Sequence, residues 1–328
     1  MNQQELSNLT TALLAGRGFA HKRDIGDVMG QLTRMLPVGG NALNEAIAVG
    51  DDCAAIPDGD GYLLLAIEGF VDDFVQEMPW FAGYCGVMVN VSDIAAMGGR
   101  PIAVVDALWS RGMDPASDVL QGMSTAAQRY QVPVVGGHTN NRSERGQLAV
   151  AILGRARKLL TSFDARPGET LMMAVDLRGS YEQDKPYWNA STKAPAERLR
   201  ADLELLPELA ERDLCKAAKD ISMAGAVGTA LMLLECSGVG AVIDLATLPR
   251  PEHVPMLRWL QSFPSFGFIM SVPPEKVCDV MVHFSSRDIA CAAIGEVTDS
   301  SEVWLKHGEA RSLLWDRDAD TFITARAA

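Results

Sequence analysis

The sequence predicts an α/β protein of two domains of similar size, and three observations carry that expectation. The chain has 328 residues, too many for one small core and enough for two ordinary ones. Apolar runs of strand length alternate with helical patterns in both halves. Between the halves lies a polar stretch, RARKLLTSFDARPGE at 155–169, with a Pro167-Gly168 turn. The expected domains are therefore 1–160 and 161–328, and mixed sheets fit the alternation as well as parallel ones.

The elements follow in order. Asp24 stands as an N-cap before Ile25, Val28, Met29, Leu32 and Met35 at helical spacing, and Pro37 stops that run. Strands are expected at 46–56 and 62–68 around the turn Pro57-Asp58-Gly59-Asp60-Gly61. A buried, small-residue helix at 80–97 ends at Gly98-Gly99; a strand IAVVDALW, a helix at 115–130 and the strands VPVVGG and QLAVAILG follow. The second half reopens with TLMMAVDL. Residues 179–196 lack periodicity and read as a mobile loop. Helical patterns occupy 197–236. A strand AVIDL, a helix near 252–262, a strand FGFIMSV, a helix near 274–284 and a strand ACAAIGEV complete the pattern.

Composition excludes several functions. There are 42 acidic and 29 basic residues, a net charge of −13, and the pI is about 4.8. A surface this acidic repels nucleic-acid backbones and anionic lipid. No apolar run approaches the roughly 20 residues that span a bilayer. The N-terminus lacks the basic start and apolar core of an export signal. Cysteines 53, 85, 215, 236, 278 and 291 form no C-x-x-C pair, so a reducing, cytoplasmic setting without structural zinc is expected.

Five segments could carry chemistry. In GDDCAAI (50–56), Asp51 and Asp52 are neighbours on a strand and point to opposite faces, so at most one faces a given site; a solvated turn is the ordinary alternative. Glu68 ends the apolar run YLLLAI, where α/β folds gather ligands, or it sits in a surface turn. Asp93 lies inside the apolar stretch MVNVSDIAAMG, where a carboxylate is unfavourable unless paired or bound to a metal; it is the most informative acid in the chain. VPVVGGHTN presents Gly136, Gly137, His138 and Thr139, a turn through which a phosphate could approach the backbone. Asp220 precedes Ser222 and a glycine-interrupted helix. It either caps that helix or stands beside an anion at its first turn. Scattered acids of this kind suit a hard divalent cation such as Mg²⁺. The chain has no GxxxxGK[ST] loop, no protein-kinase motif set and no G-x-S-x-G elbow. Tyr181, Tyr187 and Trp188 could close over a ring, and Arg111 and Arg142 could hold an anion; interface aromatics and solvated arginines are the plainer readings.

In this order, the segments resemble the AIR synthetase superfamily, over about residues 20 to 300. NVSDIAAMGGRP is similar to the NLSDIAAMGA-x-P motif of thiamine-monophosphate kinase, GDDCAAI to GDDAAV, and VVGGHT to GGDT or GGHT. KDISMAGAVGTALMLLECSGVGAVIDLATLP is similar to D-x-S-D-G-L…SGVGA-x-I-D…LP. The resemblance implies a two-domain AIR synthetase-like fold. Its N-terminal mixed sheet would form a β-barrel with a second subunit, giving a homodimer, and its C-terminal domain would be α/β. It implies ATP and Mg²⁺ as cofactors, with Asp51 or Asp52, Glu68, Asp93 and Asp220 on metal. Gly50, Asn90, Gly136, Gly137, His138, Thr139 and Lys22 would lie at the nucleotide, and Asp93 and Asp220 would be catalytic. The implied activity is a phosphotransferase or ligase activating a small molecule.

The departures shape that expectation. Met223 replaces the second acid of D-x-S-D-G, and His138 replaces the acid of GGDT, which argues against plain thiamine-monophosphate kinase activity. No cysteine accompanies Lys22, as selenophosphate synthetase needs, and the C-terminal segment DTFITARAA lacks the cysteine motif of the hydrogenase-maturation enzyme. The pattern resembles most the orphan AIR synthetase-related branch. The alternatives are an ATP-binding sensor or scaffold of reduced activity, or a thiamine-monophosphate kinase-like activity.

Overall fold

The computed structural model describes residues 1–35, 49–70 and 72–324. Pro37, Val71 and the first three residues of the strand expected at 46–56 lie outside them. The chain divides into two compact units: residues 1–51, 160–193 and 212–328 form the first, and 52–159 with 194–211 the second.

The first unit opens with α1 (Gln3–Leu14) and α2 (Arg17–Met35). The second contains β1 (Ala54–Asp58), β2 (Gly61–Phe70), α3 (Asp72–Glu77), α4 (Pro79–Ala96), β3 (Arg100–Arg111), α5 (Met113–Tyr130), β4 (Val134–Asn140) and β5 (Arg142–Ala156). The first resumes with β6 (Thr170–Val175), β7 (Ser180–Tyr181) and β8 (Tyr187–Asn189). Then α6 (Ala196–Leu203) and α7 (Leu205–Glu211) return to the second. The first unit is completed by β9 (Ala217–Asp220), α8 (Gly225–Ser237), β10 (Gly240–Asp244), α9 (Met256–Leu260), β11 (Phe263–Pro264), β12 (Gly267–Val272), α10 (Val277–Ser285), β13 (Ala290–Thr298), β14 (Glu302–His307) and β15 (Ala310–Asp316).

In the second unit the sheet runs β1-β2-β5-β3-β4, antiparallel except for the parallel β3–β4 pair. Alternation assigns its two faces. Leu64, Ala66, Val104, Leu108, Leu148, Val150 and Ile152 are buried on the face packed against α4. Leu65, Ile67, Val105 and Leu153 stay exposed on the other. Helices α4 and α5 approach closely through two glycines. A Cβ on Gly122 would collide with the Trp80 carbonyl, and one on Gly83 with the Val119 carbonyl. Arg100 on β3 forks between Glu204 and Glu211 and so ties α6 and α7 to the sheet.

In the first unit a seven-stranded sheet runs β15-β14-β10-β13-β6-β12-β9, with only β10–β14 parallel. Its core combines Leu6, Leu9 and Leu13 of α1 with Val227, Leu231 and Leu234 of α8 and with Leu171, Met173 and Ile269 of the sheet. A reciprocal cap starts α1: the Asn2 side chain accepts the Glu5 amide at 2.9 Å, and the Glu5 carboxylate accepts the Asn2 amide at 2.8 Å. Both units are thus mixed α/β, as the alternation predicts.

Four local expectations are corrected. Residues 179–196 are not a structureless loop: β7 and β8 join β11 in a small three-stranded sheet. Trp188 is buried there, donates from Nε1 to the Asp176 carbonyl at 2.9 Å, and meets Tyr181 and Trp259 edge-on. The helical stretch 197–236 is interrupted by β9, whose four residues are all buried and therefore show no alternation. The chain also continues past the last expected strand into the β14–β15 hairpin. Helix α2 starts at Arg17 rather than after Asp24, because its first turn is seated by tertiary contact: Gly18 lies against the Met223 carbonyl.

Candidate functional site

The apolar small-residue pattern of α4 buries the whole helix from Phe81 to Ala96, including Asn90, Ser92 and Asp93. Asp93 is 5% exposed. Asn90 is fully buried, and its amide donates to the Gly86 carbonyl at 2.8 Å and to the Val150 carbonyl of β5 at 3.0 Å, which braces the helix on the sheet. Its Oδ1 has no hydrogen-bond partner among the described residues. The Gly98-Gly99 ending has two distinct causes. Gly98 takes φ +73 and its amide returns to the Ala95 carbonyl, while the Gly99 amide reaches the Ile94 carbonyl. A side chain on Gly99 would strike Leu64.

Carboxylate oxygens of Asp52 and Asp93 lie within 4.8 Å of one another in the second unit. The neighbouring Asp51 does something else. It accepts the Ser162 amide on Oδ2 at 2.8 Å and the Ser162 hydroxyl on Oδ1 at 2.6 Å. The Ser162 carbonyl in turn accepts from Ser237 Oγ at 2.8 Å. The pair that the sequence leaves open is therefore divided, with Asp51 anchored within the first unit and Asp52 beside Asp93.

Glu68 is half-buried on β2, paired in register with Val150. Gly136, Gly137, His138 and Thr139 lie on the edge strand β4, exposed along its length. Only Gly137 is sterically required there, since a Cβ would run into the Asp106 carboxylate. Burial pushes the Asp106 carboxyl above its ordinary 3.8. His138 sits over Trp109, with ring centroids 6.3 Å apart. Arg111 and Arg142 are exposed and line an open pocket of about 440 Å³ with Asn141, Ser143 and Glu144.

In the first unit Asp220 ends β9 and is 4% exposed; Lys219 beside it is 5% exposed. After Asp220 the chain turns through Ser222, whose amide donates to Thr229 Oγ1 at 3.2 Å and whose Oγ is buried without a partner among the described residues. Met223, which follows Ser222, is 46% exposed. The small residues at the start of α8 answer to the protein itself. Gly225, at φ +69, lies against the Leu260 carbonyl, and Gly228 against Phe19. Gly50 takes φ +118, and its carbonyl accepts from Cys236 Sγ at 3.6 Å. Lys22 is half-buried on α2.

The aromatic residues Tyr181, Tyr187 and Trp188 pack against the protein itself. Tyr187 packs edge-on to Phe263, and Arg258 covers the Tyr181 ring at 4.1 Å. Two residues of the site neighbourhood escaped the sequence reading. Ser162 lies in the polar boundary stretch, where nothing marks it as a partner for Asp51. Lys219 was legible as a charge within an apolar run, the same signal that singled out Asp93. Burial pushes the thiols of Cys215 and Cys291 up to about 12, which disfavours their thiolate forms.

Comparison with known proteins adds the following. The profile of the AIR synthase related protein N-terminal domain matches residues 50–156, and that of the C-terminal domain matches residues 159–307. An uncharacterized protein of Synechocystis sp. is 48% identical over 312 residues, covering 95% of this chain and 96% of its own. The thiamine-monophosphate kinase of Pyrococcus abyssi is 29% identical over 287 residues, covering 80% and 87%. Among solved structures, T. maritima PurL complexed with ATP superposes with a TM-score of 0.73 at 18% identity, over 91% of this chain and 49% of PurL. The chain thus spans about half the length of that protein.

Proposed function

Because the chain belongs to the AIR synthase-related family, we propose that it is an ATP- and Mg²⁺-dependent phosphotransferase or ligase that activates a small molecule. The observation that carries this reading is the Asp52–Asp93 pair, with one carboxylate buried in an apolar helix and a second within 4.8 Å of it. Two carboxylates that close are mutually destabilising unless a cation or proton intervenes. Oxygen donors are the set that Mg²⁺ takes. The donors therefore fit the ion, and we assign Asp52, Asp93 and, by family resemblance, Asp220 to it. Glu68 is a further ligand in this reading, and Asp51 holds the GDD turn through Ser162 rather than the metal.

When bound, the cation would neutralise charge on the transferring phosphoryl group. The chain's own residues do the rest. Asp93 is held rigidly by the α4 packing, so its carboxylate is preorganised. Gly50, Asn90, Gly136, Gly137, His138 and Thr139 are assigned to the nucleotide, and Lys22 to its phosphates. Residues 1–160 and 161–328 are taken as the two functional domains, and the setting as cytoplasmic. A second copy of the chain would cover the exposed apolar face of the second unit's sheet, forming a homodimer and closing the barrel that the family resemblance implies.

Titration of ATP calorimetrically with and without Mg²⁺, followed by assay of ADP in the same sample, tests the function. Magnesium-dependent binding with ADP formation is expected, whereas absence of binding in both conditions would sink it. One observation favours a second reading: Met223 stands exposed where the family has an acid. On that reading ATP binds and no ADP ever forms.

A further inference from the structure

The chain after β15 folds back onto α2, and the Glu235 carboxylate anchors it there. Glu235, near the end of α8, is 5% exposed. Its oxygens accept three consecutive backbone amides: Phe322 at 2.7 Å on Oε2, and Ile323 at 2.9 Å and Thr324 at 2.8 Å on Oε1. An anion ringed by backbone donors is a strong, directional anchor. It fixes Phe322, 1% exposed, between Phe19 of α2 at 5.3 Å and Trp315 at 5.4 Å. Outside this aromatic contact, Arg23 of α2 pairs with Asp320 at 2.6 Å and lies over the Trp315 ring at 5.5 Å. One turn further on, a Cβ at Gly26 would stand 3.0 Å from the Thr324 carbonyl.

Phe19, Arg23 and Gly26 follow one another at spacings of four and three, so the segment lies along one stripe of α2. Lys22 lies within that stretch, between two of the strapped residues. Further along the helix Val28 is 56% exposed and Met35 75%. Several contacts that hold α2 lie close to Lys22. Among the described residues they include the α8 contact of Phe19, the seat of Gly18 on Met223, and the returning segment.

We infer that residues 316–324 are a strap, latched by Glu235, that holds α2 in the position from which Lys22 meets the triphosphate. Releasing the strap would lower nucleotide affinity without touching a metal ligand. This rests on the assignment of Lys22 to the phosphates made above. The latch itself is independent of that assignment.

The test is hydrogen–deuterium exchange across residues 17–35 combined with Mg²⁺-ATP titration, on the full chain and on two variants. Glu235→Gln turns an amide group toward the three backbone donors. Asp320→Asn loosens the half-exposed outer pair with Arg23 and serves as the second variant if the first does not fold. Exchange of α2 amides in unliganded protein should rise at least about tenfold in Glu235→Gln and less in Asp320→Asn. ATP affinity should fall in the same order, with no change in the Mg²⁺ concentration needed for half-saturation. Unchanged α2 exchange in both variants would overturn the strap. Faster exchange with unaltered ATP affinity would overturn its control of the site. If the unaltered protein binds no ATP, the proposed function and the control role fall together, while the exchange measurement still decides the latch.

Discussion

Asp93 and Asp106 are both carboxylates of the second unit, and their surroundings set them apart. Asp93 lies within 4.8 Å of Asp52, a pairing that a cation relieves. Asp93→Asn removes one charge from that pair and leaves the helix packing intact. Mg²⁺-dependent ATP binding should weaken at least about tenfold, with an unchanged circular dichroism spectrum; equal affinity would remove the residue from the site. Asp106 offers a pH signature. Its carboxyl titrates above the ordinary 3.8 because burial disfavours the charged form. Below the unfolded pKa the group is protonated in both states and nothing is lost. As pH rises through the folded pKa the native state must hold an unfavourable charge, so stability falls. Asp106→Asn should therefore raise the melting temperature at pH 7, with the gain vanishing below about pH 4, as a melting series across pH would read. The division of Asp51 from Asp52 also belongs at this scale. Strand alternation was expected to separate them, but residues 50–53 form a bend before β1, and the Ser162 contacts decided that Asp51 is anchored.

Elements here are held by close approach as much as by apolar burial. The α4–α5 contact is the clearest case, since Gly122 leaves no room for a methyl beside the Trp80 carbonyl. Gly122→Ala should destabilise by about 1–3 kcal/mol, the range for overpacking a tight contact, in denaturant unfolding. A loss near zero would mean that the helices separate without strain. The C-terminal end of α4 was legible in advance, because the Gly98-Gly99 pair that ends it is a local signal. The β9 strand was not legible. Its four residues are buried on both faces, so no period of two marks them, and the helices on either side absorb them. The 179–196 segment misled for the opposite reason. Its polar residues mask Trp188, which is buried within a small sheet.

For the molecule as a whole, the decisive surface is the sheet face bearing Leu65, Ile67, Val105 and Leu153. Ile67 is 69% exposed on a regular strand, an arrangement that soluble monomers seldom leave uncovered over a contiguous area. Light scattering should return twice the 35.3 kDa chain mass, and Ile67→Asp with Val105→Asp should return a single chain. A monomer in the unaltered protein would sink the dimer. Among the described residues no helix is long and apolar enough to cross a membrane.

The sequence by itself determined the alternating two-domain plan, the acidic surface, the bounds of the central buried helix and Asp93 as an anomaly within it. Each is a property of composition or of a period of two or 3.6 residues, which a chain carries before it folds. The tertiary structure alone decided that Asp52 rather than Asp51 stands by Asp93, that the glycines of α8 admit Leu260 and Phe19, and that Glu235 latches a segment some 87 residues away. These depend on which surfaces meet. A donor and acceptor distant in sequence leave no periodic trace in it, and their pairing is set only when the packed core brings them together.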